Sequence, residues 1–565
     1  MKKRTGLLLM ISVALIVLLS GCAGSNENDM EADGSNQIEN EGDTEEKMAD
    51  EQVLNLASTS EIPTMDVGAA VDATSSNAMG AGFSGLMRLD ENEQPVPDMA
   101  AEEPEISEDQ KSWTFKIRED AEWSNGDPVT AHDFEFSWKR ALSPKTNGEY
   151  SFLFEAAGIK NAKEILDPES DIAGEAEKLG VTAVDDETLE VELSNPQPYF
   201  ESLLWFGPFL PMNEDVVNEY GDQYAQEVDT MVYNGPYIMS EWNHGEGWTW
   251  EKNDDYWNAD AHHLQEVHFT VVKDVSTQAK LFDQDEIAQT DLNGDELIAK
   301  YQDDSGFDQG LDASTMSIRI GQRQPTLKNE KIRTALYNGI DREALTDVLL
   351  SDGSIPAYYE VPKEFVDSPE GEDFREAYPD INKLTKEEAI DLWSEGLKEE
   401  GEEKVTHELY VSDGSQDEMI AEYIQDQLED AFDGLSIEIV KLPWKAFLES
   451  YLEKEYDLSY IGFSPDYNDP ITFLDIFTTG HQQNTMDIEL SEYDDIISEV
   501  KEMADDPEKR WKLMQEAEKI LLEDASDIPL YQKGHSWVEK PYVKNIRYPV
   551  YGVNIDWYQA YIVNE

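Results

Sequence analysis

Along the chain the apolar positions change period repeatedly. Trp113-Thr114-Phe115-Lys116-Ile117 and Leu189-Glu190-Val191-Glu192-Leu193 alternate apolar with polar, the mark of a half-buried strand. Val53–Leu56, Trp248–Lys252, Val267–Val272 and the stretch after the turn Asn234-Gly235-Pro236-Tyr237 predict further strands. Between them, Thr130–Leu142 predicts a helix. Thr130 is placed to cap it, Asp133 stands at the reciprocal capping position, and Phe134, Trp138 and Leu142 share a face. The second half alternates more regularly. Thr315–Ile320, Leu409–Val411, Ser436–Val440 and Leu458–Gly462 read as strands. Glu330–Tyr337, Arg342–Leu350 behind the cap Asp341, a segment ending near Phe432, Trp444–Lys454 and Glu508–Leu522 read as helices. Such alternation predicts an α/β fold with mixed sheets. No internal repeat is visible.

The first residues follow a different pattern. Lys2, Lys3 and Arg4 precede a thirteen-residue apolar run from Leu7 to Leu19. That run is too short for a membrane span, which needs about 18 to 20 residues, and suits a signal peptide over residues 1–21. Leu19-Ser20-Gly21-Cys22 resembles the bacterial lipobox, which implies cleavage before Cys22 and lipidation of that cysteine, hence a membrane anchor. Residues 22–50 then carry ten acidic residues and no core pattern, and are expected to form a disordered tether.

Composition narrows the functional classes. The 565 residues suggest three to four domains. With 123 acidic and 42 basic residues the net charge is −81, which repels phosphates and argues against a nucleic-acid partner. Aromatics at 10% supply enough apolar surface for real cores despite that charge. The charge points instead to a high-salt or alkaline exterior. Cys22 is the single cysteine, so no internal disulfide can form. No nucleophile elbow, His-Glu-x-x-His zinc motif or phosphate loop is present. Asp291-Leu292-Asn293-Gly294-Asp295 begins like a calcium loop, but Glu296 and Gln302 stand where its glycine and bidentate glutamate belong. His262, His263 and His268 read as strand and surface residues. No cofactor, metal or catalytic residue is assigned.

Several segments in order carry a resemblance. They are Trp113-Thr114-Phe115 into Trp123-Ser124-Asn125-Gly126-Asp127-Pro128-Val129-Thr130-Ala131 with Asp133-Phe134; Asn234-Gly235-Pro236-Tyr237 with Glu251-Lys252-Asn253 and Tyr256-Trp257; and Ile332-Arg333 through Ala335-Leu336 to Ile340-Asp341-Arg342. Trp444-Lys445-Ala446-Phe447-Leu448, Asp466-Tyr467-Asn468-Asp469-Pro470 with Phe473-Leu474, and Ile528-Pro529-Leu530-Tyr531 complete the set. Together, over residues 51–565, the chain resembles the oligopeptide-binding lipoproteins of bacterial ABC importers (extracellular solute-binding protein family 5).

The resemblance implies a two-lobed clamp of the periplasmic-binding-protein type, α/β with mixed sheets and an extra accessory domain. Residues 51–83, 232–312 and 534–565 would form the first lobe, 84–231 the accessory domain and 313–533 the second lobe. The expected role is that of a monomeric, membrane-anchored, non-enzymatic receptor. It would pass oligopeptides to an ABC permease and its ATPase subunits. A nickel chelate, haem or sugar ligand, and a peptide-signal receptor, remain alternatives. The resemblance puts Asp466 at the peptide α-ammonium and Phe463, Ser464, Pro465 and Tyr467 along the same wall. Tyr150, Ser75 and Tyr460 match other ligand-facing positions, whereas Trp444 reads as core. Relatives carry basic residues, which meet a peptide carboxylate, where Tyr451 and Tyr460 stand here. They also carry a cysteine pair at the positions of Ser314 and Ser464.

Overall fold

A computed structural model describes residues 47–564 apart from 71, 147, 206, 376–380, 482 and 504–505. The signal peptide, Cys22 and the spacer up to residue 46 lie outside the described residues. The last residues assigned to the tether are held rather than free. Ala49 N–H donates to the Ile562 carbonyl at 2.8 Å, and Met48 bridges Val563, so order begins before Val53.

Three larger sheets organise the described residues, beside two two-stranded ones. In the first, Val53–Ser58 lies parallel to Glu266–Val271, followed by Gly247–Lys252 and Tyr237–Asn243 in antiparallel order. The second is antiparallel: Glu105–Ile106, Ser112–Lys116, Thr188–Glu192 and Val181–Asp185. The capped helix beside it is Ala131–Ala141, with Thr130 and Asp133 forming the expected reciprocal cap and Phe134 and Trp138 fully buried.

The third sheet has seven strands. Its path runs Gln289–Asp291, Asp527–Glu539, Phe307–Ile320, Leu458–Phe463, Val405–Ser412 and Leu435–Leu442, with Ile355–Pro356 also pairing to Asp527–Glu539. Two of these strands are long. Phe307–Ile320 and Asp527–Glu539 run antiparallel to each other from the short strand Gln289–Asp291 to the parallel end of the sheet. Their ladder slips midway. Leu311 pairs with Gly534 and Thr315 with Gln532, so Asp312, Ala313 and Ser314 face the single residue Lys533. Such a bulge bends and twists the pair locally.

The expected helix Arg342–Leu350 is interrupted. An α-turn, Arg342–Ala344, opens into a π-helix, Leu345–Leu350, which ends at Ser351 with φ 45°. Thr346 Oγ1 donates to the Arg342 carbonyl at 3.1 Å, and the buried Arg342 guanidinium binds the carbonyls of Tyr337, Ala357 and Pro529. The Thr346 bond occupies the Arg342 carbonyl that a regular ladder would use.

The apolar core does not divide where the sequence draws its segments. Tyr467, Phe473, Tyr493 and Met514 belong to the same buried cluster as Leu54, Trp138 and Phe200. Tyr467 stacks on Tyr199 at 4.2 Å between ring centres. A second cluster packs the helices Glu330–Asn338, Lys386–Glu400 and Ser415–Ala431 around the third sheet.

Candidate functional site

A cavity of about 670 Å3 opens at the slipped crossing of the two long strands. One wall is the helix Ala73–Gly82. Asp72 caps it by accepting from the Ser75 N–H at 2.9 Å, which turns Thr74, Ser76 and Asn77 to the cavity. A second wall combines the bulge residues Asp312–Ser314 with Ser464, Pro465 and Asp466. The remainder is largely aromatic: Trp248, Phe269, Trp537, Tyr548 and Trp557 line it.

Asp466 leaves the end of the strand Leu458–Phe463, its N–H donating to Thr472 Oγ1 at 3.3 Å. Burial alone pushes its carboxyl up to about 7. Tyr150 stands beside it, its phenol raised by burial and then by the charges of Asp466 and Asp72. Asp466 is half-buried at the cavity surface, and a partly desolvated carboxylate with no offsetting cation is ready to receive one, because an incoming ammonium replaces the lost solvation.

Ser464, Pro465, Asp466 and Tyr150 are thus brought together at one cavity. The other expected ligand residues are not in its lining. Ser75 is fully buried, its hydroxyl accepting from the Thr64 N–H at 3.4 Å. Phe463 points the other way along the strand and packs edge-on to Phe473 at 5.3 Å. Tyr467 is buried against Tyr199. Tyr460 is buried in the second core with its hydroxyl 2.6 Å from that of Tyr531. Phe463 ends the strand and turns to Phe473, while Ser464, just beyond it, lines the cavity; Ser75 lies on the buried side of the helix Ala73–Gly82. Trp444 corrects an expectation in the opposite sense, being 58% exposed at the start of the helix Trp444–Leu452 rather than in the core.

Ser314 and Ser464 meet across adjacent strands, their hydroxyl oxygens 2.6 Å apart. Asp469, three residues after Asp466, does different work. Its carboxylate takes both outer nitrogens of Arg510, at 2.6 and 3.0 Å, in a buried fork. His262 is buried, held neutral with its value lowered to about 4 by desolvation, and its Nδ1 lies 2.6 Å from the Tyr558 carbonyl. Among the described residues no cluster of acidic, histidine or cysteine side chains is arranged to hold a metal, and no helix is long and apolar enough to cross a membrane.

The family model for bacterial extracellular solute-binding proteins, family 5 Middle, matches residues 94–485. The chain belongs to this family. Among relatives of this family 5 protein, the dipeptide-binding protein DppE of Bacillus subtilis is 33% identical over 552 residues, covering 97% of each chain. The substrate-binding domain of an oligopeptide ABC transporter from Bacillus anthracis superposes with TM-score 0.81 at 40% identity, over 92% of this chain and 100% of that one. Listeria monocytogenes OppA bound to peptide gives TM-score 0.80 at 37% identity, with the same coverage. The fold of this family 5 protein is accordingly the two-lobed α/β clamp expected from the sequence.

Sequence reading missed most of the cavity wall. Trp248 carried only a strand pattern, and Trp537 and Tyr548 lay in segments without a helical or alternating signal. Lys533 and His535 line the cavity as well and had no motif to mark them.

Proposed function

We propose that the chain is the extracellular receptor of an ABC importer, binding oligopeptides in this cleft and delivering them to the permease and its ATPase subunits. It performs no bond chemistry; ATP hydrolysis belongs to those subunits. It works as a monomer anchored through lipidated Cys22. Residues 51–83, 232–312 and 534–565 act as one lobe, 313–533 as the other and 84–231 as the accessory domain, with the two long strands as the crossings about which the lobes close. Ligand specificity is broad because an extended peptide is held mainly through its main chain, as an added strand.

The observation that carries this reading is Asp466, a half-buried carboxyl with no cation to offset its desolvation, at a cavity of peptide size. It takes the ligand's α-ammonium, with Tyr150, Ser464 and Pro465 around it. The relatives named for dipeptide and oligopeptide binding support the same class. Calorimetry with pooled peptides of four to eight residues tests it, once with free amino termini and once N-acetylated. Only the free pool should saturate, and Asp466→Ala should weaken its binding by about 3–5 kcal/mol, the cost of orphaning one partner of a buried pair. Equal binding of both pools keeps the peptide and removes the anchor. Binding of neither removes the peptide.

A further inference from the structure

Asp466 answers one charge of a peptide with free termini; the opposite charge needs its own partner. Tyr451 and Tyr460 are both buried away from the cavity, Tyr451 against Arg319 and Tyr460 against Tyr531. Among the described residues lining the cavity, the basic side chains are Lys533 and His535. Both stand on Asp527–Glu539, Lys533 within the slip and His535 just beyond it, paired with Gly310.

The slip is what aims Lys533. Gln532, just before Lys533, is buried and tied down, its Nε2 donating to the carbonyls of Asp312 at 3.0 Å and Lys363 at 2.8 Å. Gly534, just after, donates its N–H to Ser354 Oγ at 2.9 Å. Lys533 is thereby held on the cavity side, 54% exposed, with Nζ 3.2 Å from Asp312 Oδ2. His535 places Nε2 3.2 Å from Asp291 Oδ1 and Nδ1 3.9 Å from Asp312 Oδ1. Asp291 also accepts from Gln289 Nε2 at 2.9 Å. An ammonium has three donors, and one carboxylate oxygen engages one of them.

We propose that Lys533, positioned by Asp312 and with His535 beside it, binds a carboxylate of the peptide. This rests on the peptide reading of the cleft. Two sources supply the same chemistry: the C-terminal carboxylate of a short peptide, or an Asp or Glu side chain of a longer one. The strand order sets the scale. From Lys533 to Asp466 the sheet is crossed by two strand spacings of about 4.8 Å and roughly two residues along the strand, or about 12 Å, which an extended peptide covers in three to four residues.

The test is calorimetry on the full protein and two variants, Lys533→Gln and Lys441→Gln. Lys441 pairs with Glu418 outside the cavity and controls for the loss of one positive charge. The first probe pair is tetra-alanine as free acid and as C-terminal amide. The second is a hexapeptide amide carrying either glutamate or glutamine at its third residue. The unaltered protein should favour the carboxylate-bearing member of at least one pair by roughly tenfold, the scale of one charge-assisted hydrogen bond. A preference in the first pair identifies the terminus and in the second the side chain. Lys533→Gln should erase the preference while keeping affinity for the neutral member; Lys441→Gln should keep it. Melting curves check that both variants fold. Equal binding within both pairs, or a preference that survives in Lys533→Gln, overturns the lysine assignment and leaves the peptide reading intact. Binding of no peptide overturns both.

Discussion

Asp466 destabilises the empty protein in proportion to its usefulness. A carboxyl whose folded value lies near 7, above the ordinary carboxylate range, favours the fold while protonated, and that advantage is lost as pH climbs from about 4 towards 7. Asp466→Asn, which keeps the shape without the charge, should therefore raise the melting temperature of the unliganded protein at pH 8. Ligand binding has the reverse sign. An ammonium pairs only with the ionised carboxyl, so below pH 7 a proton must leave first. Affinity for peptides with free amino termini should be flat just above pH 7 and fall about tenfold per unit below it. Calorimetry at pH 6 in two buffers of different ionisation enthalpy should register up to one proton released. A pH-independent affinity would remove Asp466 as the anchor. Asp469 looks the same in the motif and behaves differently. Removing its partner with Arg510→Ala leaves a buried carboxylate alone and should cost about 3–5 kcal/mol in urea unfolding, with peptide affinity changed only through the fold. Sequence could not tell the two acids apart, because the partner of Asp469 stands 41 residues away on the helix Pro507–Asp524.

The two long strands run side by side through the third sheet, and their neighbours offer a way to test that geometry. Ser314 and Ser464 face each other beside the pair Thr315–Phe463, 150 positions apart in sequence. In a protein with Cys22 replaced by serine, Ser314→Cys with Ser464→Cys should close a disulfide on mild oxidation and stabilise the fold by about 2–4 kcal/mol. Thiol titration and melting under oxidising and reducing conditions check this; two thiols that stay free would show that the strands do not pair as described. Elements of this kind were only partly legible in the sequence. Where burial is one-sided the period shows through, as in Ser112–Lys116, Thr188–Glu192 and the helix Ala131–Ala141. Phe307–Ile320 was visible only from Thr315 onward. Its first half, with Asp308, Gln309, Gly310 and Asp312, borders solvent and the cavity and keeps no alternation. The π-helix Leu345–Leu350 was invisible for another reason: Arg342 bonds to carbonyls from Tyr337 to Pro529, a long-range network that no local pattern reports.

At the scale of the molecule the dominant quantity is the charge of −81. The 42 basic residues cannot neutralise 123 acids, and most ion pairs between them, such as Lys331 with Glu395 and Glu399, sit at the surface and contribute little each. The uncompensated carboxylates repel one another in the folded state more than in the expanded chain, so dilute buffer works against folding. Raising the salt shortens the Debye length from about 10 Å at 0.1 M to about 3 Å at 1 M, less than the spacing of most surface charges. The melting temperature should therefore climb by several degrees between 0.1 and 1 M sodium chloride, and sucrose at matched osmolality should reproduce only a small part of that rise. Peptide binding divides along the same line. Long-range attraction of a cationic ligand should fade over that salt range, whereas the contact proposed for Asp466 inside the cleft should persist. A protein whose melting temperature ignores salt would show that its acidic surface is already neutral to folding, and the expected high-salt setting would lose its physical basis.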